Sequence, residues 1–97
     1  MEIKSAQSMM QNLYGARDKA RGSGQTFLWL IEEVGEMAEA IRQADRKGLD
    51  EEFADVLAWL FSLGNVLDID LESAFLSKYN GTCPKCKGVP CHCRELV

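Results

Sequence analysis

Two carboxylate pairs with the same spacing stand out in this chain of 97 residues: Glu33-x-x-Glu36, inside the run Glu32-Glu33-Val34-Gly35-Glu36, and Glu52-x-x-Asp55. Acids three residues apart on a helix are neighbours and converge on one point. Four of them on two adjacent helices make an oxygen shell of the kind Mg²⁺ or Mn²⁺ takes, completed by waters and phosphates. Crowded carboxylates repel, and burying them is costly unless a cation or a proton neutralises them. The competing reading is a set of solvated helix faces, which is what charge runs usually are. Two features favour the cation. Glu33 and Glu52 fall at the edge of apolar stripes, and no Lys or Arg lies three or four residues from Glu33, Glu36 or Glu52. At about 100° per residue, Glu32, Glu36 and Glu39 share one face, whereas Glu33 sits nearer Trp29, Leu30, Val34, Met37 and Ile41.

A second constellation gathers all four cysteines of the chain, Cys83-Pro84-Lys85-Cys86 and Cys91-His92-Cys93. Thiolates prefer soft or borderline ions, so this group suits Zn²⁺ rather than the Mg²⁺ of the acids. The CxxC turn lets two sulfurs face one ion, Gly88 and Pro90 fit a tight return, and CxC closes the tetrahedron. Four cysteine ligands are favoured, with His92 in place of Cys91 or Cys93 as the lesser option. Disordered free thiols and disulfides are the alternatives. A closed four-thiolate site has no open position for chemistry, so its role is structural, ordering a tail nearly devoid of apolar residues.

The elements that position these groups read as helices. Ile3 to Arg21 has apolar residues every three or four positions, Gln25 to about Ala44 carries Phe27, Leu30, Ile31, Val34, Met37, Ala38 and Ile41, and Phe53 to Leu67 is nearly apolar all round between Val56 and Leu63. That third helix should be central. Gly22-Ser23-Gly24 reads as a plain turn, since it lacks the glycine spacing and the Lys-Ser/Thr of a phosphate loop. Asp45-Arg46-Lys47-Gly48 reads as a helix stop, Asp50 as the cap of the third helix, and Asp70 as the cap of a short fourth helix ended by Asn80-Gly81. No segment alternates as a surface strand does. The expected class is all-α with a small irregular Cys-rich tail, divided at residues 1–80 and 81–97.

The acid pairs share a cation only if they reach the same height. A second helix running to Lys47 and turning tightly would leave Glu36 about 10 Å above Glu52 at 1.5 Å per residue. The expectation is therefore an early stop near Ala44, with Asp45–Leu49 climbing back.

Composition is that of an ordinary globular chain, 46% hydrophobic and 27% charged, with a net charge of −4 that does not attract nucleic acid or anionic lipid. So short a chain buries a limited core, which points to oligomerisation. No hydrophobic run approaches the roughly 18–20 residues that cross a bilayer, and Met1-Glu2-Ile3-Lys4 lacks a signal-peptide core. A cytoplasmic protein is expected.

Glu32-Glu33-x-x-Glu36, fifteen intervening residues, Glu52-x-x-Asp55 and a mostly apolar helix together resemble the MazG-like all-α nucleoside triphosphate pyrophosphohydrolases, whose signature is EExxE, a spacer, then ExxD. The resemblance covers about Phe27 to Tyr79. It implies a homodimer or dimer of dimers in which an antiparallel helical hairpin from each chain completes a four-helix bundle. It also implies cleavage of the α–β phosphate bond of a nucleoside triphosphate to the monophosphate and pyrophosphate, with clearing of aberrant nucleotides as one role. Carried over, Glu33, Glu36, Glu52 and Asp55 are Mg²⁺ ligands. Glu32 is a further ligand or orients the attacking water, and Lys78 contacts phosphate. Many relatives continue with an Asn and an Arg that hold substrate; here Asn80 comes too soon and the cysteine module replaces that segment.

Trp29 lies one turn before Glu33 and Trp59 one turn after Asp55, so both can line a base pocket, although aromatics at helical spacing are more often core. Arg17, Lys19 and Arg21 can reach phosphates from the first helix, against the plainer reading of a solvated face. The competing class is a non-catalytic helical dimer that presents a zinc knuckle to nucleic acid or a protein. Lys78, Lys85, Lys87 and Arg94 give it modest positive charge, but Tyr79 is the one clear stacking platform.

Overall fold

A computed structural model describes residues 1–94; residues 95–97 of the expected tail lie outside it. The described residues form four helices, α1 (Ile3–Arg21), α2 (Ser23–Arg42), α3 (Arg46–Val66) and α4 (Leu71–Lys78), and no strand. As its apolar pattern predicts, α3 is central: it packs along both α2 and α1, while α4 rests on α1. No described helix is long and apolar enough to cross a membrane.

The corner between α1 and α2 is tighter than the Gly-Ser-Gly triplet suggests. Only Gly22 leaves the helices, at φ 85° and ψ 166°, backbone that a side chain would strain. Ser23 and Gly24 already belong to α2, because Thr26, fully buried, donates its backbone N–H and its hydroxyl to the Gly22 carbonyl, the latter at 2.7 Å.

The hairpin between α2 and α3 corrects two expectations. Helix α2 does stop early, at Arg42, but Asp45–Leu49 does not climb back as a loop. Asp45, rather than Asp50, caps α3, accepting the Gly48 N–H at 3.1 Å. Gly48 is therefore no stop residue. It sits in the first turn of α3, where a Cβ would collide with the Asp45 carboxylate. Ala44 closes the turn in the left-handed region at φ 54°, and the Asp45 N–H reaches back to the Ala40 carbonyl at 3.2 Å, the closure usually made with glycine.

At the far end, buried Gln7 of α1 fastens the α3–α4 turn. Its amide donates to Ile69 O at 2.7 Å and accepts from Leu71 N at 3.0 Å, and Asn65 Nδ2 donates to Gln7 O. Asp70 caps α4 through Ser73 N–H and hydroxyl, contacts that hold its carboxyl below the ordinary value.

The apolar stripes are mostly uncovered. Leu30 is buried, but Phe27, Ile31 and Ile41 of α2 and Phe53, Leu57 and Leu60 of α3 remain between 40% and 57% exposed. The radius of gyration, 15.8 Å, exceeds the roughly 13 Å of a compact chain of about 100 residues. Among the described residues, α1 and α4 leave these side chains of the α2–α3 hairpin uncovered.

Candidate functional site

The hairpin geometry fixes the acids. Glu36 lies six residues before the end of α2 and Glu52 six residues after the start of α3, so each stands about 9 Å from the turn. Carboxylate oxygens of Glu33, Glu36 and Glu52 lie within 4.8 Å of one another. Asp55 is outside that tight group but close enough to act on both Glu33 and Glu52 by charge.

No basic side chain answers this charge among the described residues. Arg42 pairs with Glu39 at 2.7 Å and Arg21 with Asp18 at 2.8 Å. Glu33 Oε2 and Glu52 Oε2 are buried with no hydrogen-bond partner. Burial, then a hydrogen bond to Glu36 and the charges of Glu36, Asp55 and Glu52, push the Glu33 carboxyl up to about 7. Desolvation and the charges of Glu36 and Asp55 raise Glu52 in the same direction. At that value the Glu33 carboxyl is only partly ionised at neutral pH. Two orphaned buried oxygens among unpaired like charges fit a divalent cation, whose charge would favour full ionisation.

Glu32 is exposed and lies outside the cluster. Trp29 and Trp59 stack on each other, ring centroids 6.0 Å apart, and the Arg21 guanidinium lies 4.9 Å from the Trp59 ring centre. Trp59 and Asp55 line a cleft of about 330 Å³ between α1 and α3, with Tyr14, Arg17, Asp18 and Arg21. Trp29 is not among its lining residues. Asp18 is 2% exposed, and its second oxygen is also buried and unpartnered. Sequence reasoning passed over Asp18, since an acid followed three residues later by Arg reads as a surface pair. The Arg21 guanidinium also reaches the hydroxyl of buried Thr26 at 3.4 Å, a contact that spacing does not show. Lys19 faces a different groove, beside Asn65 and Asp68. Lys78 ends α4 with its ammonium 5.6 Å from the Tyr79 ring centre, and it does not line the cleft.

The four cysteines form a second group in the tail, their sulfurs within 4.8 Å of one another, and His92 is not part of it. Backbone N–H groups of Cys86 and Lys85 directed at Cys83 hold its thiol down to about 6, while the neighbouring sulfurs of Cys91, Cys83 and Cys86 push Cys93 up to about 12. So dense a set of sulfurs cannot all ionise without a cation among them.

A sequence model of the MazG nucleotide pyrophosphohydrolase domain matches residues 21–87, from the end of α1 through both acid pairs and α4 into the first half of the cysteine tail. No curated protein matches the chain significantly.

Proposed function

Because the chain belongs to the MazG nucleotide pyrophosphohydrolase family, we propose that it hydrolyses a nucleoside triphosphate between the α- and β-phosphates, releasing the monophosphate and pyrophosphate. The observation that carries this reading is the cluster of Glu33, Glu36 and Glu52, level across the hairpin, without a basic partner and with two buried oxygens unsatisfied. Glu33, Glu36, Glu52 and Asp55 would hold Mg²⁺ or Mn²⁺. The bound cation would supply charge stabilisation at the phosphoryl oxygens and acidify water.

The protein's own groups do the rest. Glu33, its carboxyl raised to about 7, would be held ionised by a cation bound beside it. Glu32, exposed and one turn from Glu36, orients the attacking water and accepts its proton. Arg17 and Arg21, in the cleft that Asp55 shares, face the phosphate chain, and Trp59 and Trp29 form the apolar boundary for the base. Lys78 would contact a phosphate, although it does not line that cleft.

The enzyme acts in the cytoplasm as a homodimer or dimer of dimers, in which the open α2–α3 faces of two copies close a four-helix bundle. Incubation with a panel of ordinary, deoxy and modified nucleoside triphosphates and Mg²⁺, with pyrophosphate as the readout, tests the activity. Turnover of at least one nucleotide is expected, and none on any of them would refute the reading.

A further inference from the structure

The tail after α4 is short of every ordinary means of holding a shape. Residues 80–94 contain no helix, no strand and no buried residue. Two backbone hydrogen bonds tie the segment to itself, Lys87 N to Cys83 O at 2.8 Å and Cys83 N to Gly88 O at 3.1 Å. Yet within it four sulfurs from positions up to ten residues apart converge.

Their spacing is diagnostic. Zn–S bonds of about 2.3 Å directed to the corners of a regular tetrahedron place the sulfurs about 3.8 Å apart along each edge. The Cys83–Cys93 separation is 3.7 Å and the Cys86–Cys91 separation 3.9 Å. A disulfide needs about 2.05 Å, so neither pair is one. The surrounding N–H groups also point at sulfur: Gly88 N and His92 N each lie 3.4 Å from Cys86 Sγ, and Cys93 N lies 3.3 Å from Cys91 Sγ. Donors aimed at sulfur favour thiolate, the form that ligates a metal.

His92 has a different task. Its ring lies against Gly88, filling the space where a Cβ would stand at that position. A Cβ at Gly88 would also meet the Pro90 carbonyl, so a larger residue there would push the ring or the loop aside, and the imidazole closes the loop from outside the sulfur cage.

We infer that Cys83, Cys86, Cys91 and Cys93 bind one Zn²⁺ in a closed tetrahedral four-thiolate centre, with His92 as a packing residue rather than a ligand. The centre is independent of the acid cluster and of the nucleotide reading. All four positions are filled by protein, so it holds no water and does no chemistry; the ion substitutes for the core the tail lacks. Cys83, Cys91, Pro84, Val89 and Pro90 line one cavity with Tyr79, so the knuckle abuts the end of α4.

The test is the metal content of the full-length protein, purified without added metal and without chelator. One zinc per chain is expected, lost on Cys83→Ser or Cys93→Ser and kept on Glu36→Gln and on His92→Ala. Cobalt substituted for zinc should show the absorption of a tetrahedral four-thiolate ion, unchanged by His92→Ala. Alkylation in the native state should spare all four thiols until a strong chelator is added. Far-UV circular dichroism of each variant separates loss of zinc from loss of the helices. Iron in the site, no metal at all, zinc retained by the cysteine variants, or a cobalt spectrum altered by His92→Ala would overturn the assignment.

Discussion

Glu36 and Glu52 stand level on opposite arms of the α2–α3 hairpin, each six residues from the helix end that meets the turn. The turn between Arg42 and Arg46 sets that match. One residue added or removed there would shift one arm by about 1.5 Å and rotate it by about 100° relative to the other, carrying Glu52 and Asp55 off the shared face. The carboxylate cluster thus depends on residues that never touch it.

Ala44 closes that turn in a conformation that glycine adopts without strain. Replacing it with glycine removes the Cβ penalty, partly offset by greater freedom in the unfolded chain. Ala44→Gly should stabilise the fold by about 0.5 kcal/mol, seen as a higher urea midpoint with unchanged slope; a lower midpoint would mean that the turn gains nothing from the substitution.

Glu33 links the cluster to pH. A carboxyl whose folded value is raised from 4.5 to about 7 favours the folded chain while protonated, so its stabilisation is complete below the lower value and is lost as pH rises through the upper one. Glu52 is shifted in the same sense. Cys83, held down to about 6, works in the opposite direction, so the comparison is made with the tail loaded with zinc and Mg²⁺ varied alone. The Mg²⁺-induced rise in melting temperature should grow from about pH 5.5 to about pH 8 as the ion replaces the proton. Glu33→Gln should flatten that growth. A rise in melting temperature that is equal at both pH values in the unsubstituted protein would contradict the linkage.

Arg21 is the sole ion-pair partner of Asp18 among the described residues. Arg21→Ala leaves a carboxylate 2% exposed without its cation and should cost about 3 kcal/mol, measured by chemical denaturation. Asp18→Asn in the Arg21→Ala background should recover part of the loss, since the charge is then gone. Additive losses in the double variant would show that the pair is not coupled.

Much of this was legible in the sequence. The periodicity of α2 and α3, the centrality of α3 and the Asp70 cap follow from residue type and spacing alone, as does the convergence of Glu33, Glu36 and Glu52 and of the four cysteines, whereas Asp55 lies outside the tight acid group. The α2–α3 turn was misread because Arg46-Lys47-Gly48 carries the marks of a helix end, while the deciding contact is a capping bond from the Gly48 N–H to the Asp45 carboxylate. Asp18 and the cleft were invisible because they arise where α1 meets α3, a tertiary contact between residues about forty positions apart.

The open apolar faces of α2 and α3 give a direct expectation in solution. The protein should sediment as a dimer or larger, and Leu57→Glu, which places a charge on the exposed face of α3, should shift it toward monomer. A monomer at all concentrations would remove the four-helix bundle from the account.

Pyrophosphate release tests most directly whether the carboxylates form a cation site for phosphoryl chemistry. With Mg²⁺ and a responsive nucleoside triphosphate, the unsubstituted protein should release pyrophosphate and the monophosphate in equal amounts. Glu36→Gln and Asp55→Asn should each lower the rate by more than about 100-fold with helical content unchanged. Equal rates in the folded variants, or turnover undiminished by removing Mg²⁺, would contradict it.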